Sequence, residues 1–145
     1  MVDELPAIVG ELGGEATVGR PIRSAEDMSA AIREGFLHSV VDALAGNSGL
    51  TLQEVASSLD LSTRSLQRRK HQGRLARYES DRLYRLARLM ALAEYFIGSH
   101  ATAVEWMKRP NLVLGGVAPL QLLDTELGAR QVENILGRIG YGGVS

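Results

Sequence analysis

The clearest pattern in the sequence is the recurrence of apolar residues at three- and four-residue intervals, with polar positions between them. In the first such stretch the recurring positions are Met28, Ile32, Phe36, Val40 and Leu44. This spacing places apolar side chains on one face of an α-helix. It predicts one amphipathic helix over residues 26–45, which ends in the glycine-containing segment 46–49.

Two short helices joined by a tight turn are predicted next. Thr51 and Glu54 have the spacing of a capping box, in which the hydroxyl and the carboxylate each satisfy one free backbone amide. They predict a helix that begins at Thr51. Ser62 is a favourable N-cap for a second helix over about residues 63–71, which Gly73 ends.

The remainder of the chain continues the helical pattern. Ser80 is expected to cap a long helix that ends at Gly98 and whose seam consists of Leu83, Leu86, Met90, Ala93 and Ile97. Short helices follow at 101–108 and 119–123, and Asp124 or Thr125 begins a last helix. Its inward positions are Leu127, Val132, Ile135, Leu136 and Ile139. No segment has the two-residue period of a strand, so the predicted class is all-α.

Residues 1–24 differ from the rest because no helical period is sustained there. The segment contains four glycines, Pro6 and Pro21 among scattered acidic residues. We therefore predict a flexible N-terminal arm over residues 1–24, with at most a short helical turn near Ile8.

The two short helices contain the residues that a DNA-reading helix-turn-helix requires. Ala56 is small enough for the helices to cross, Leu61 fills the turn, and Leu66 faces inward. At 100° per residue, the outward face of the second helix carries Arg64, Arg68 and His71, with Ser65 and Gln67 beside them. Arginine can form paired hydrogen bonds to guanine, and glutamine to adenine. An ordinary helical hairpin with a solvated basic face is the alternative.

The distribution of charge favours nucleic acid over that alternative. Residues 1–60 have a net charge of −7, residues 61–88 of +7 and residues 89–145 of −1. So dense a basic segment indicates a polyanionic partner. Arg69 and Arg82 belong to it, Arg82 as an expected phosphate contact. The predicted DNA-binding residues are therefore Arg64, Ser65, Gln67, Arg68, Arg69, His71 and Arg82.

No catalytic, cofactor or metal site is predicted. The chain has no cysteine, and His38, His71 and His100 are widely separated without ligand spacing. The glycine pair at 115–116 has no P-loop lysine after it, and the glycines at 137–143 do not match a dinucleotide fingerprint. We expect a protein that is not an enzyme.

The sequence also predicts a cytoplasmic protein. The N-terminus has no secretory signal pattern. The longest uncharged apolar stretch, residues 112–122, contains two glycines and a proline and is shorter than the roughly 20 residues of a membrane helix. The absence of cysteine suits a reducing compartment.

A series of short motifs runs through residues 61–145. They are LSTRSLQRR at 61–69, ESDRL at 79–83, Ala103 with Trp106 and Met107, Pro110-Asn111 before Leu114-Gly115-Gly116, Pro119-Leu120 with Leu122-Leu123, Gly128 with Val132, and residues 136–140. In this order and spacing they resemble the Xre/MbcA/ParS-like antitoxins, whose C-terminal part binds a toxin. The stretch 50–59 fits the helix-turn-helix of the same family.

This resemblance implies the antitoxin of a type II toxin–antitoxin pair. The expected partner is a RES-domain toxin that consumes NAD, and operator DNA is the expected second partner, because the family represses its own operon. The expected architecture has an Xre/Cro-like helix-turn-helix domain at 25–75 and a small helical toxin-binding domain at 76–145. The alternative is a plain transcriptional regulator whose C-terminal half only dimerises. A homodimer is expected, with the seam at 83–97 serving as core or as dimer contact.

The expected toxin-binding residues lie in the C-terminal half. They are Trp106, Arg138, Tyr141, Gly142, Gly143, Val144 and Ser145. Trp106 is either a core anchor beside Leu112 and Leu120 or an interface hot spot. The last helix is predicted to stop near Ile139, which leaves a tip that either plugs the toxin's NAD cleft or is a frayed end.

Overall fold

The computed structural model describes residues 4–142, and within that range the chain folds as helices without a named strand. The α-helices are α1 (Leu5–Glu11), α2 (Glu15–Val18), α3 (Ala25–Glu34), α4 (Ser39–Ser48), α5 (Leu52–Ser58), α6 (Thr63–Arg69), α7 (Arg77–Ile97), α8 (His100–Lys108) and α9 (Glu126–Gly142). Two short 3₁₀ helices lie at Leu112–Leu114 and Pro119–Leu122. The predicted all-α class is confirmed.

The long helix α7 is the centre of the fold. It contacts α1, α3, α4, α8 and α9, so helices from both halves of the chain pack on it. The predicted seam residues Leu83, Leu86, Met90 and Ala93 are fully buried there. The seam is therefore core, and truncation of one of its leucines should cost about 2–5 kcal/mol.

The N-terminal segment is ordered, and the prediction of a flexible arm is wrong for its described residues. Helices α1 and α2 bury Ile8, Leu12 and Val18 in the same core as α7. The glycines of this segment do not loosen it. Gly13 and Gly14 have φ of 98° and 95°, a backbone conformation that glycine adopts without strain and that permits the turn between the two helices.

The predicted helix over residues 26–45 is two helices, because Gly35 ends the first one. Gly35 has a φ of 90°, and a Cβ atom there would lie 2.0 Å from the carbonyl oxygen of Leu75. Phe36 is nevertheless fully buried, so the apolar period continues across the break and hides it. The Phe36 amide donates to the Ser80 hydroxyl at 2.9 Å, and the Leu75 amide donates to the Phe36 carbonyl at 2.9 Å.

The start of α7 also differs from the predicted one. Ser80 is a buried residue of its first turn and not its cap. The helix begins four residues earlier, at Arg77 with Ala76 as the N-cap, and the Glu79 carboxylate accepts the Ala76 amide at 2.7 Å.

The C-terminal third folds back onto α7. Thr125 caps α9 by accepting the amide of Gly128 at 2.9 Å, as predicted. Gly128 packs so closely that an added Cβ would meet the Leu122 carbonyl oxygen at 2.0 Å. Leu127 and Leu112 are not core residues as predicted, since they are 70% and 93% exposed. In the described part of the chain, no helix combines the length and apolar character required to span a membrane.

Candidate nucleic-acid interface and partner surface

Helices α5 and α6 form the predicted helix-turn-helix geometry. Both halves of the Thr51–Glu54 capping box are present, and Ser62 caps α6 by accepting the Ser65 amide at 3.2 Å. Asp60 has a φ of 53°, the left-handed conformation that the turn requires. Leu66 is buried and locks α6 against the core.

Arg82 holds the turn of this unit. Its Nη1 group donates to the carbonyl oxygens of Leu59 at 3.2 Å and Asp60 at 2.8 Å, and its guanidinium lies 5.5 Å from the ring centroid of Tyr78. These carbonyls follow the end of α5, where backbone oxygens have no partner within the helix. The predicted phosphate contact is thus a side chain that already has a structural role, which spacing did not reveal.

Arg69 ties α6 to α7. Its Nε donates to the Glu79 carboxylate at 3.2 Å, and its Nη1 donates to Gln72 at 3.0 Å. Glu79 is wholly buried, whereas the Arg69 side chain is 24% exposed. A buried carboxylate needs such a partner, so this arginine stabilises the crossing of the two helices.

The outward face of α6 carries the remaining predicted side chains. Arg64, Gln67, Arg68 and His71 are exposed, and Ser65 is half-buried. Among the described residues, Arg64, Arg68 and the neighbouring Lys70 form no ion pair. Two cations on α6 and a third at its C-cap therefore keep their charge available to a ligand.

His38 supports this helix from behind, a role that the sequence pattern did not indicate. Its Nε2 lies 2.8 Å from the carbonyl oxygen of Leu66. Arg74 acts similarly at the end of the unit, where Nη1 donates to the Gly35 carbonyl at 2.9 Å. Both contacts join residues distant in sequence, which is why helical spacing could not predict them.

Two arginines of α7 join that helix to α9. Arg85 donates to the Leu123 carbonyl at 2.8 Å and lies 3.5 Å from the Glu126 carboxylate. Arg88 donates to Glu133 at 2.6 Å and lies 3.7 Å from Glu4. These contacts use positive charge of the basic segment inside the protein.

A shallow depression with an apolar edge lies between the 3₁₀ region and α9. Its lining includes Val113, Leu114, Ile135 and Arg138. Gln131 and Asn134 also line it, and they share one face of α9 with the exposed Leu127. Val113 is 64% exposed.

The predicted toxin-binding residues are placed unevenly. Arg138 is exposed at the depression, whereas Trp106 is half-buried on α8 and packs against the core. The depression's lining does not include Trp106. Gly142 and the backbone of Tyr141 are helical, and Gly143, Val144 and Ser145 lie outside the described residues.

The predicted end of the last helix near Ile139 is wrong. Helix α9 continues to Gly142, and Gly140 lies so close to α7 that an added Cβ would meet the Phe96 ring at 2.0 Å. Glycine at 140 was expected to fray the helix. Its small size instead allows close packing, so residue 140 does not belong to a free tip.

Comparison with known proteins identifies two family regions. Residues 27–88 match the antitoxin Xre-like helix-turn-helix domain. Residues 91–142 match the antitoxin Xre/MbcA/ParS C-terminal toxin-binding domain. The two regions meet within α7.

Relatives matched over most of their length give the same assignment. The chain is 37% identical over 131 residues to Antitoxin Xre of Photorhabdus laumondii subsp. laumondii, covering 89% of this chain and 88% of the relative. It is 33% identical over 127 residues to Antitoxin Xre of Yersinia enterocolitica, covering 86% of each.

A solved structure shares the fold. A chain in the crystal structure of the M. tuberculosis MbcT–MbcA toxin–antitoxin complex matches with a TM-score of 0.56 and 28% identity, covering 74% of this chain and 96% of that one. The predicted order, a helix-turn-helix followed by a toxin-binding domain, is confirmed. The chain belongs to the Xre/MbcA/ParS family of antitoxins.

Proposed function

We propose that this chain inhibits a RES-domain, NAD-consuming toxin through its C-terminal part and represses its own operon through α6. It does so as a cytoplasmic homodimer without catalysis of its own. The observation that carries this proposal is that the helix-turn-helix and toxin-binding regions each present a surface unused by the rest of the fold. The cations of α6 form one, and the apolar edge beside α9 forms the other.

The DNA-binding half of the proposal rests on the exposed cations. Arg64, Arg68 and Lys70 are exposed on α6. Phosphates and base edges in a major groove supply the counter-charge and the acceptors that such residues need. Helix α6 therefore acts as the recognition helix, with Gln67 and His71 beside the arginines and Ser65 at its start. A dimer would place two such helices on a two-fold-symmetric operator.

The toxin-binding half rests on the depression beside α9. Leu127 and Val113 are exposed apolar residues. Together with Arg138 they offer an apolar centre with a charged edge, the usual composition of a protein interface. We propose this face as the first contact with the toxin, with the predicted residues 141–145 continuing from it. Trp106 contributes by holding α8 against the core.

Co-expression with the adjacent reading frame tests the proposal. The toxin alone should stop growth and deplete cellular NAD, and the full chain should restore both and co-purify with the toxin. The double variant Leu127→Asp/Arg138→Glu should lose toxin binding. Arg23→Glu repeats the charge reversal of Arg138→Glu at an exposed site in the N-terminal part. It is the control for that reversal and should bind as wild type does.

The outcomes separate the parts of the proposal. A toxin that stops growth while NAD stays constant would contradict the RES assignment. Normal binding by the folded double variant would exclude the face beside α9.

A further inference from the structure

Three potential metal ligands from distant parts of the chain meet at one end of α7. They are Glu11 at the end of α1, Glu94 in the last turn of α7 and His100 at the start of α8. One ligand atom from each lies within 4.8 Å of the others. His100 Nδ1 is 2.5 Å from the Glu94 carboxylate. No metal site was predicted from the sequence, because the separation of the histidines was the criterion and Glu11 is far from His100 along the chain.

Glu11 is the unusual member of the cluster. Only 8% of this residue is exposed, and its Oε2 atom is buried without a hydrogen-bond partner. A buried carboxylate without a donor is costly. The pKa of Glu11 is raised to about 8, first by burial and then by the neighbouring Glu94 carboxylate. The buried, unpartnered oxygen beside a second carboxylate and an imidazole is a favourable position for a cation.

The backbone around the cluster is held in place from both sides. Asn47 on α4 donates through Nδ2 to the carbonyl oxygens of Gly10 at 3.1 Å and Glu11 at 3.2 Å. On the other side, Gly98 has a φ of 97° and reverses the chain after α7, and Ser99 caps α8 by accepting the Thr102 amide at 3.1 Å. The three side chains thus converge from backbone segments that have their own supports.

We propose that Glu11, Glu94 and His100 bind one divalent transition-metal ion of the zinc class. Two carboxylate oxygens and one imidazole nitrogen are ligands that zinc accepts, at roughly 2.0–2.2 Å, with water at the fourth position. Ligand atoms at such distances from one tetrahedral ion lie roughly 3.3–3.6 Å apart. The Glu11 oxygen therefore has to approach the other two ligands and the His100–Glu94 pair has to open slightly, changes that side-chain rotamers allow. The His100 side chain is 51% exposed, so an ion can reach the site from solvent.

The ion would supply the positive charge that the buried Glu11 carboxylate lacks and would join α1 to α7 and α8. Mg²⁺ and Ca²⁺ fit less well, since they prefer six or more oxygen ligands. The chain offers no thiolate that would compete for the ion.

Titration of the tag-free, EDTA-treated full chain tests the site. A calorimetric titration with ZnCl₂ should show one saturable binding site per chain. Addition of CoCl₂ should give the visible absorption bands of Co²⁺ bound in a site of low symmetry. His100→Ala alters an exposed residue and should weaken Zn²⁺ binding at least tenfold while circular dichroism stays unchanged. His71→Ala is the matched control and should bind as wild type does.

Glu11→Gln provides an independent test, because it removes the buried carboxylate but keeps its shape. This variant should fold, bind Zn²⁺ at least tenfold more weakly, and lose the Zn²⁺-dependent rise in melting temperature seen for wild type. Equal Zn²⁺ binding by wild type, His100→Ala and Glu11→Gln would overturn the proposal, as would no saturable binding by wild type.

Discussion

The basic residues between Arg64 and Arg88 divide into two groups that differ in what they contact. On α6, Arg64, Arg68 and Lys70 extend outward without an ion pair in the described structure. On and near α7, every arginine except the exposed Arg77 binds carbonyls or carboxylates of the protein itself. The two groups are indistinguishable in a count of charge along the sequence.

The difference shows that a basic segment overstates the charge offered to a partner. Five of its nine bases, Arg69, Arg74, Arg82, Arg85 and Arg88, have partners within the fold. We expect substitutions in this internal group to lower stability and substitutions in the outward group to lower DNA affinity.

The largest effect is expected for Arg69→Ala. It leaves the buried Glu79 carboxylate without its charged partner, although the Ala76 amide still donates to it. Loss of one partner of a buried pair should destabilise the fold by about 3 kcal/mol. Urea unfolding would measure this. Arg68→Ala is the control and should stay within about 0.5 kcal/mol of wild type; equal stabilities would show that the pair is unimportant.

Arg64→Ala and Arg68→Ala should have the opposite profile. Each should weaken operator binding by about 1–3 kcal/mol if the arginine contacts a base. Their unfolding midpoints should be unchanged, because both side chains are exposed. A gel-shift series with operator and scrambled DNA measures the effect, and wild-type affinity in both variants would exclude α6 as the reading helix.

Substitutions of Arg82 distinguish a role in positioning the turn from a direct contact with DNA. Arg82→Ala removes the donor to the Leu59 and Asp60 carbonyls and should cost about 1–2 kcal/mol of stability, with a uniform loss of affinity across DNA sequences. Arg82→Lys keeps the charge but not the fork of donors. If the lysine variant restores both stability and affinity, the charge matters and the turn contacts do not.

The smallest effect is expected for Lys70→Ala. This exposed residue at the end of α6 should contribute one phosphate contact. Its loss should therefore reduce the slope of the logarithm of the binding constant against the logarithm of the salt concentration by about one. Stability should not change. Affinity measured over a series of salt concentrations checks this, and an unchanged slope would remove Lys70 from the interface.

The sequence predicts best those features that depend on neighbouring residues. The capping box at Thr51, the Ser62 cap of α6 and the start of α9 at Thr125 all involve groups within a few positions of each other. Local hydrogen bonding determines them, so reading the chain in order is sufficient.

Features that depend on distant contacts were not predictable in this way. Gly35 breaks a continuous apolar period because the backbone of Leu75 lies against it, and Gly140 packs on Phe96 where a frayed end was expected. Glycine has the same appearance in a sequence whether it loosens a chain or permits close packing. The same limit concealed the Arg69–Glu79 pair and the meeting of Glu11 with His100.

The most direct test of the central claim is one strain that reports both activities. It carries the adjacent toxin gene under inducible control and a reporter driven by the operon's promoter. The folded double variant Arg64→Ala/Arg68→Ala should still restore growth but fail to repress the reporter, whereas Leu127→Asp/Arg138→Glu should fail to restore growth. Full growth rescue and full repression by both variants, or loss of toxin neutralisation in the α6 variant, would contradict two separate functional surfaces.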